Sequence, residues 1–92
     1  MNQKNTVEIT LLVSNKSGVL SALMVKGGSL GLIYRRQHAE KLNSENSRVV
    51  ISFIGELNCN KQQSIKTFED LPEVFKVEKI LVSDSNQAAT SQ

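Results

Sequence analysis

Between Val7 and Ser14 the side chains alternate, with Val7, Ile9, Leu11 and Val13 set against Glu8, Thr10 and Ser14. An apolar period of two lies on one side of the backbone only in a β-strand. Leu12 interrupts the polar set, as happens where both faces of a strand are partly covered. The period then changes. Asn15-Lys16-Ser17-Gly18 is a cluster of turn formers, and beyond it Val19, Leu20, Leu23, Met24 and Leu30 recur mostly at steps of three and four, the stripe of an α-helix. Ser17 is placed to cap a helix beginning at Gly18. A glycine inside a helix costs about 1 kcal/mol, yet Gly27 falls in phase between Leu23 and Leu30. The helix either stops at Lys26 or, as the phase of Gly27 favours, continues strained to Leu30, with Gly27 allowing close approach to a sheet. Gly31 suits the left-handed position after the helix end.

The remainder reads in the same way. Leu32 to Leu42 is a polar, extended segment with Tyr34, Arg36, His38 and Glu40 on one face, the pattern of an edge strand. Residues 43–47 form a hairpin connection. Arg48 to Glu56 is a third strand, with Val49, Ile51 and Phe53 inward and Val50 and Ile54 opposite. Asn60, with Gln63 three residues on, opens a second helix whose stripe is Ile65, Phe68 and Leu71, and Pro72 stops it. Phe75 to Val82 is a fourth strand, with Phe75, Val77, Lys79 and Leu81 against Lys76, Glu78, Ile80 and Val82. Residues 1–6 are expected to be a flexible leader, 7–83 one domain, and 84–92 a polar, disordered tail.

The order strand, helix, strand, strand, helix, strand has a direct topological consequence. Two right-handed crossovers place both helices on one face of an antiparallel sheet. The expected fold is an α+β, ferredoxin-like βαββαβ sandwich with strand order 4-1-3-2. Its second sheet face has no helices, and Leu12, Val50, Ile54, Ile80 and Val82 are expected to give apolar surface there or on an edge, where uncovered apolar area suits a protein interface.

Ninety-two residues suffice for one small domain with a thin core, which gains from self-association or a partner. No apolar run approaches the roughly 20 residues of a spanning helix, and residues Met1 to Thr6 are polar without an apolar signal core, so export is not expected. Cys59 is the only cysteine, so no internal disulfide and no Cys/His zinc cluster forms, which favours a reducing cytoplasm. A net charge of +2, no Trp, one Tyr and three Phe weigh against nucleic acid.

Val-Glu-Ile-Thr-Leu-Leu-Val-Ser-Asn-Lys-Ser-Gly-Val-Leu at 7–20, an apolar helix and then Gly31-Leu32-Ile33 together resemble the ACT domain family of small amino-acid-sensing regulatory modules. That family typically opens with a hydrophobic strand, a short Asn/Asp turn ending Pro-Gly-Val-Leu, a helix, and a glycine before the second strand. Leu71-Pro72-Glu73-Val74-Phe75-Lys76-Val77 resembles its usual lead-in to the last strand. The likeness covers Val7 to Val82. The chain departs at Ser17, where proline is usual, and at Gly27-Gly28, where bulky residues are usual. In size and in the Asn-Lys-x-Gly-Val-Leu turn it most resembles the small regulatory subunits of acetolactate synthase, enzymes of branched-chain amino-acid synthesis.

A ligand site is expected at the turn. The first amides of a helix lack intrahelical acceptors and favour an anion, so Gly18, Val19 and Leu20 suit a carboxylate, Lys16 and Ser17 flank them, and Asn15 offers a carbonyl and an amide. The bland alternative is an ordinary helix start. The resemblance implies that this turn contacts a small amino-acid effector, with Leu32 and Ile33, often of a neighbouring subunit, closing the pocket. It further implies a non-catalytic module without cofactor or metal, a homodimer, and a separate enzyme as partner. His38 reads as an exposed edge residue, and Cys59 lacks a nucleophile's context. A phosphatase on this fold would ask for an arginine where Lys16 stands. An RNA-binding or protein-interaction module is the remaining alternative, with Tyr34, Arg35, Arg36, Lys41 and Arg48 as a basic strip and Phe53 as the one aromatic of the third strand.

Overall fold

The computed structural model describes residues 5–56 and 59–84. The elements are β1 (Asn5–Ser14), α1 (Val19–Ser29), β2 (Leu32–Lys41), β3 (Asn46–Gly55), α2 (Lys61–Glu69) and β4 (Val74–Asp84). The sheet order is β2-β3-β1-β4 with antiparallel neighbours throughout. This is the ferredoxin-like βαββαβ fold, with the strand order expected from the sequence. β1 starts at Asn5, two residues before the expected domain start, and Asp84 closes β4. The first four residues of the expected leader and the tail beyond Asp84 lie outside the described residues.

The alternation in β1 and β3 translates directly into burial. Val7, Ile9, Leu11, Val13, Val49, Ile51 and Phe53 all turn to the helix side and are at most 1% exposed. β2 and β4, the two edges, do not alternate strictly. Tyr34 pairs with Phe53 but Arg36 pairs with Ser52, so Arg35 is an extra residue and the faces exchange after it. Leu32 and Tyr34 face the core side, whereas Arg36, His38 and Glu40 share the opposite face, which separates Tyr34 from the set expected with it. β4 bulges twice against β1, between the partners of Thr10 and Leu11 and again between those of Leu12 and Val13. Val74, Val77 and Ile80, spaced by three, therefore reach the core, and Phe75 is 54% exposed. Ile80 is thus a core residue, and Val82 pairs with core-facing Val7. Ile80 corrects the expectation that it gives apolar surface, Val82 stays 40% exposed on the edge strand, the second place expected for it, and Leu12, Val50 and Ile54 lie on the open face.

Gly27 is helical and buried, as its phase implied, and α1 buries Val19, Leu23 and Gly27 while Met24 stays exposed. Ser17 does not cap α1. The N-cap is Gly18 in left-handed geometry, φ 87°, which shifts Ser17 outside the helix, and no side chain caps this end. Gly31 takes the left-handed conformation after α1, φ 84°. Asn60 caps α2, its side chain accepting from the Gln63 amide at 2.8 Å. The Glu69 carboxylate accepts from the Val77 amide at 3.0 Å, so an amide on edge strand β4 is satisfied by α2.

On the open face Arg48 of β3 reaches over β1 to Glu78 of β4 at 2.8 Å. The hydrogen bond from Arg48, helped by its charge, holds the Glu78 carboxyl below the ordinary glutamate range although desolvation opposes the shift. A carboxyl with a depressed folded value stabilises the fold above its unfolded pKa, and that contribution disappears as pH falls through the folded value. Urea unfolding across the acid range is expected to show a smaller stability loss for Glu78→Gln than for the native chain. Equal acid limbs would remove the pair from the stability of the fold.

Candidate functional site

Three connections meet at one end of the sheet: the β1–α1 turn, the tip of the β2–β3 hairpin and the start of β4. Ser14 donates its amide to Glu73 at 2.8 Å, and Asn15 donates its amide to Glu45 at 3.0 Å. Between them lies an open cleft of about 460 Å³ lined by Asn15, Lys16, Ser44, Glu45, Glu73 and Phe75, with Ser14 and Pro72. A smaller cavity of about 140 Å³ adjoins it under the first turn of α1. Its walls include Val13, Val49, Val19, Leu20 and Ala39, and it shares Ser14, Asn15 and Lys16 with the cleft. The smaller cavity thus sets apolar walls beside the positive end of a helix.

The expected residues separate into three groups. Lys16, Val19 and Leu20 line this paired cavity, and Lys16 supplies its cation. Ser17 and Gly18 are exposed in the turn. The uncapped geometry of Gly18 leaves the first-turn amides of α1 without a side-chain acceptor. Asn15 behaves differently. Its Nδ2 donates to the Asn43 carbonyl at 2.8 Å and its Oδ1 accepts from the Ser47 hydroxyl. One donor and one acceptor of the side chain are thus spent on pinning the hairpin, and one of each remains. Leu32 and Ile33 pair with Gly55 and Ile54, at the opposite end of the sheet from Asn15. Within one chain they do not reach the turn.

The hairpin tip was missed by sequence reasoning because it joins the turn only through long-range pairing. Its one legible signal is Asn43, whose Oδ1 accepts from the Glu45 and Asn46 amides at 2.8 Å each and holds the tip in shape. His38 is exposed on the open face. The Cys59 thiol is free, half-buried and 3.3 Å from the Ser64 hydroxyl. Phe53 is fully buried on the helix side, its ring against Tyr34 and Phe68. The one aromatic that favoured base stacking is therefore not on the open face. Among the described residues no group of three His, Cys, Asp or Glu is arranged to hold a metal, and no helix is long and apolar enough to cross a membrane.

No protein-family model matches the chain, and no curated protein sequence matches it. Solved structures do. The C-terminal domain of the MgtC protein from Mycobacterium tuberculosis superposes with a TM-score of 0.61 at 13% identity, covering 94% of this chain and 93% of that one. GqqA, described as a novel type of quorum-quenching acylase, gives a TM-score of 0.54 at 14% identity over 86% of this chain, which spans 40% of GqqA. At such identities the likeness is one of fold.

Proposed function

We propose that the chain is a non-catalytic, cytoplasmic regulatory module of the ACT type that binds a small amino acid and modulates a separate enzyme of amino-acid metabolism. The carboxylate is received by the first-turn amides of α1 at Gly18, Val19 and Leu20, beside Lys16. The aliphatic part enters the cavity under Val19 and Leu20, and a second copy of the chain brings its Leu32 and Ile33 to close the site. One observation carries this reading: the uncapped, glycine-started helix opens onto a cation and an apolar cavity at once. The turn motif shared with acetolactate synthase small subunits makes that enzyme the first partner to test. Bound effector that shifts the partner's activity represents a coupling of about 1–3 kcal/mol.

Titration calorimetry of the chain with the common amino acids, branched-chain ones first, is expected to show saturable heat for at least one. Gly18→Val, which forces a branched side chain into left-handed backbone, is expected to abolish it. Absence of heat with every amino acid would overturn the sensing role.

A further inference from the structure

The two edges of the sheet differ in what they offer a further strand. β4 bulges twice against β1, and its Val77 amide is occupied by the Glu69 carboxylate at 3.0 Å. β2 has one bulge, at Arg35, and pairs without interruption from Arg36 to Lys41. Bond directions along that run follow from the hairpin. Leu42 donates its amide to the Asn46 carbonyl at 2.9 Å, whereas the adjacent Glu45 carbonyl accepts from Asn15 on the other side at 3.0 Å. Along an antiparallel pair the direction alternates residue by residue. Arg36, His38 and Glu40 therefore bond to β3, and the amides and carbonyls of Gln37, Ala39 and Lys41 point away from the sheet. The charges of this edge have one sign once the open face is balanced. Glu40 stands opposite Arg48 and acts on it, Arg48 is bonded to Glu78, and Lys76 acts on Glu78 in turn. Those charges alternate and cancel. Arg35, Arg36 and Lys41 are exposed, and no ion pair among the described residues engages them.

We infer that β2 takes up, by antiparallel strand addition, an extended acidic segment of a partner protein. The segment's backbone bonds to Gln37, Ala39 and Lys41, and its carboxylates meet Arg36 and Lys41. Arg36 lies on the open face and Lys41 on the helix side, five residues apart. Acidic residues spaced by five in the segment fall on opposite faces in the same way. Charge on an edge strand ordinarily guards it against pairing. A guard of one sign is selective. A second β2 would bring the same three cations to one strand spacing, about 4.8 Å, whereas an acidic strand is drawn in. The bulge at Arg35 ends the seat, so Leu32 and Ile33 stay uncovered and free to meet a second copy. In the proposed function the segment belongs to the regulated enzyme, and the inference rests on that reading only for naming its owner.

The probe is a fluorescent acetyl-Glu-Thr-Val-Thr-Val-Glu-Glu-amide, read by anisotropy with no amino acid present. Heat of amino-acid titration tests the sensor separately, so either reading can fail alone. The peptide is expected to bind saturably, and its analogue with Lys for every Glu is expected not to bind. N-methylation of the first valine, which stands opposite Ala39, removes a backbone donor and is expected to weaken binding at least about tenfold. Arg36→Glu is expected to weaken it by at least about the same factor. Ala39→Pro deletes an outward amide while sparing the bonds to β3, and is expected to abolish binding. Lys41→Glu replaces it should the proline variant lose its native circular dichroism. No saturable binding at millimolar peptide, or equal binding of the lysine or the N-methyl analogue, would overturn the inference. So would sedimentation showing the native chain self-associated in a form that Ala39→Pro dissociates, which would assign the edge to a second copy.

Discussion

Gly27→Ala is expected to destabilise the protein by about 2–3 kcal/mol, while Gly28→Ala, one residue on, is expected to be neutral or to stabilise it by up to about 1 kcal/mol. Both positions lie in the same helix and both substitutions gain helix propensity, so the difference isolates packing. A Cβ on Gly27 would stand 2.2 Å from Phe53 Cε1 and 2.4 Å from its Cζ. That ring has nowhere to retreat: it is fully buried, with Tyr34 at 6.4 Å and Phe68 at 6.3 Å between ring centroids. A Cβ on Gly28 meets nothing within 4 Å. Urea unfolding of the two variants measures the contrast. Phe53→Leu in the Gly27→Ala background is expected to return part of the loss, since neighbours that share one space are not additive. A Gly27→Ala protein as stable as the native chain would show that α1 does not rest on the ring.

Phe68→Ala is expected to cost about 3–5 kcal/mol, a large share of the roughly 5–15 kcal/mol that holds a small domain together. α2 has nine residues, too few to persist alone in water. Only Ser64 and Phe68 of it are buried, and the Ser64 hydroxyl is occupied within the helix's own first turn, bonded to the Asn60 carbonyl at 3.0 Å. The Phe68 ring is therefore the principal apolar anchor of α2, and removing it opens a void next to Phe53. Hydrogen exchange is expected to show α2 amides losing protection ahead of β1 and β3, because local opening follows the element with least buried apolar contact. The Val77 amide, held by Glu69, should become exchangeable with them. A cost below about 1 kcal/mol would mean that α2 docks by other contacts.

Legibility in the sequence followed the range of each interaction. The Asn60 cap, the left-handed Gly31 and the buried phase of Gly27 were all readable, because each depends on residues a turn or less away. The cap of α1 was not: serine and glycine both suit that position, and the backbone chose Gly18 with positive φ. The candidate site divides in the same way. Lys16, Val19 and Leu20 were recognisable from the turn motif, whereas the engagement of Asn15 by Asn43 and Ser47 spans about thirty residues of chain and leaves no local trace. Tyr34 and Ile80 went to unexpected faces because a bulge of one residue inverts every side chain after it, and bulges arise from pairing with a partner strand.

By itself the sequence determined the kind and order of the six elements, and with them the topology, since periodicity and turn chemistry are properties of contiguous residues. Tertiary structure alone decided which faces the edge strands present, how Gly27 meets Phe53, and that the β1–α1 turn, the hairpin tip and β4 enclose a cleft. These depend on where segments distant in the chain come to rest against one another, and the free energy of that contact is shared between them and written in neither.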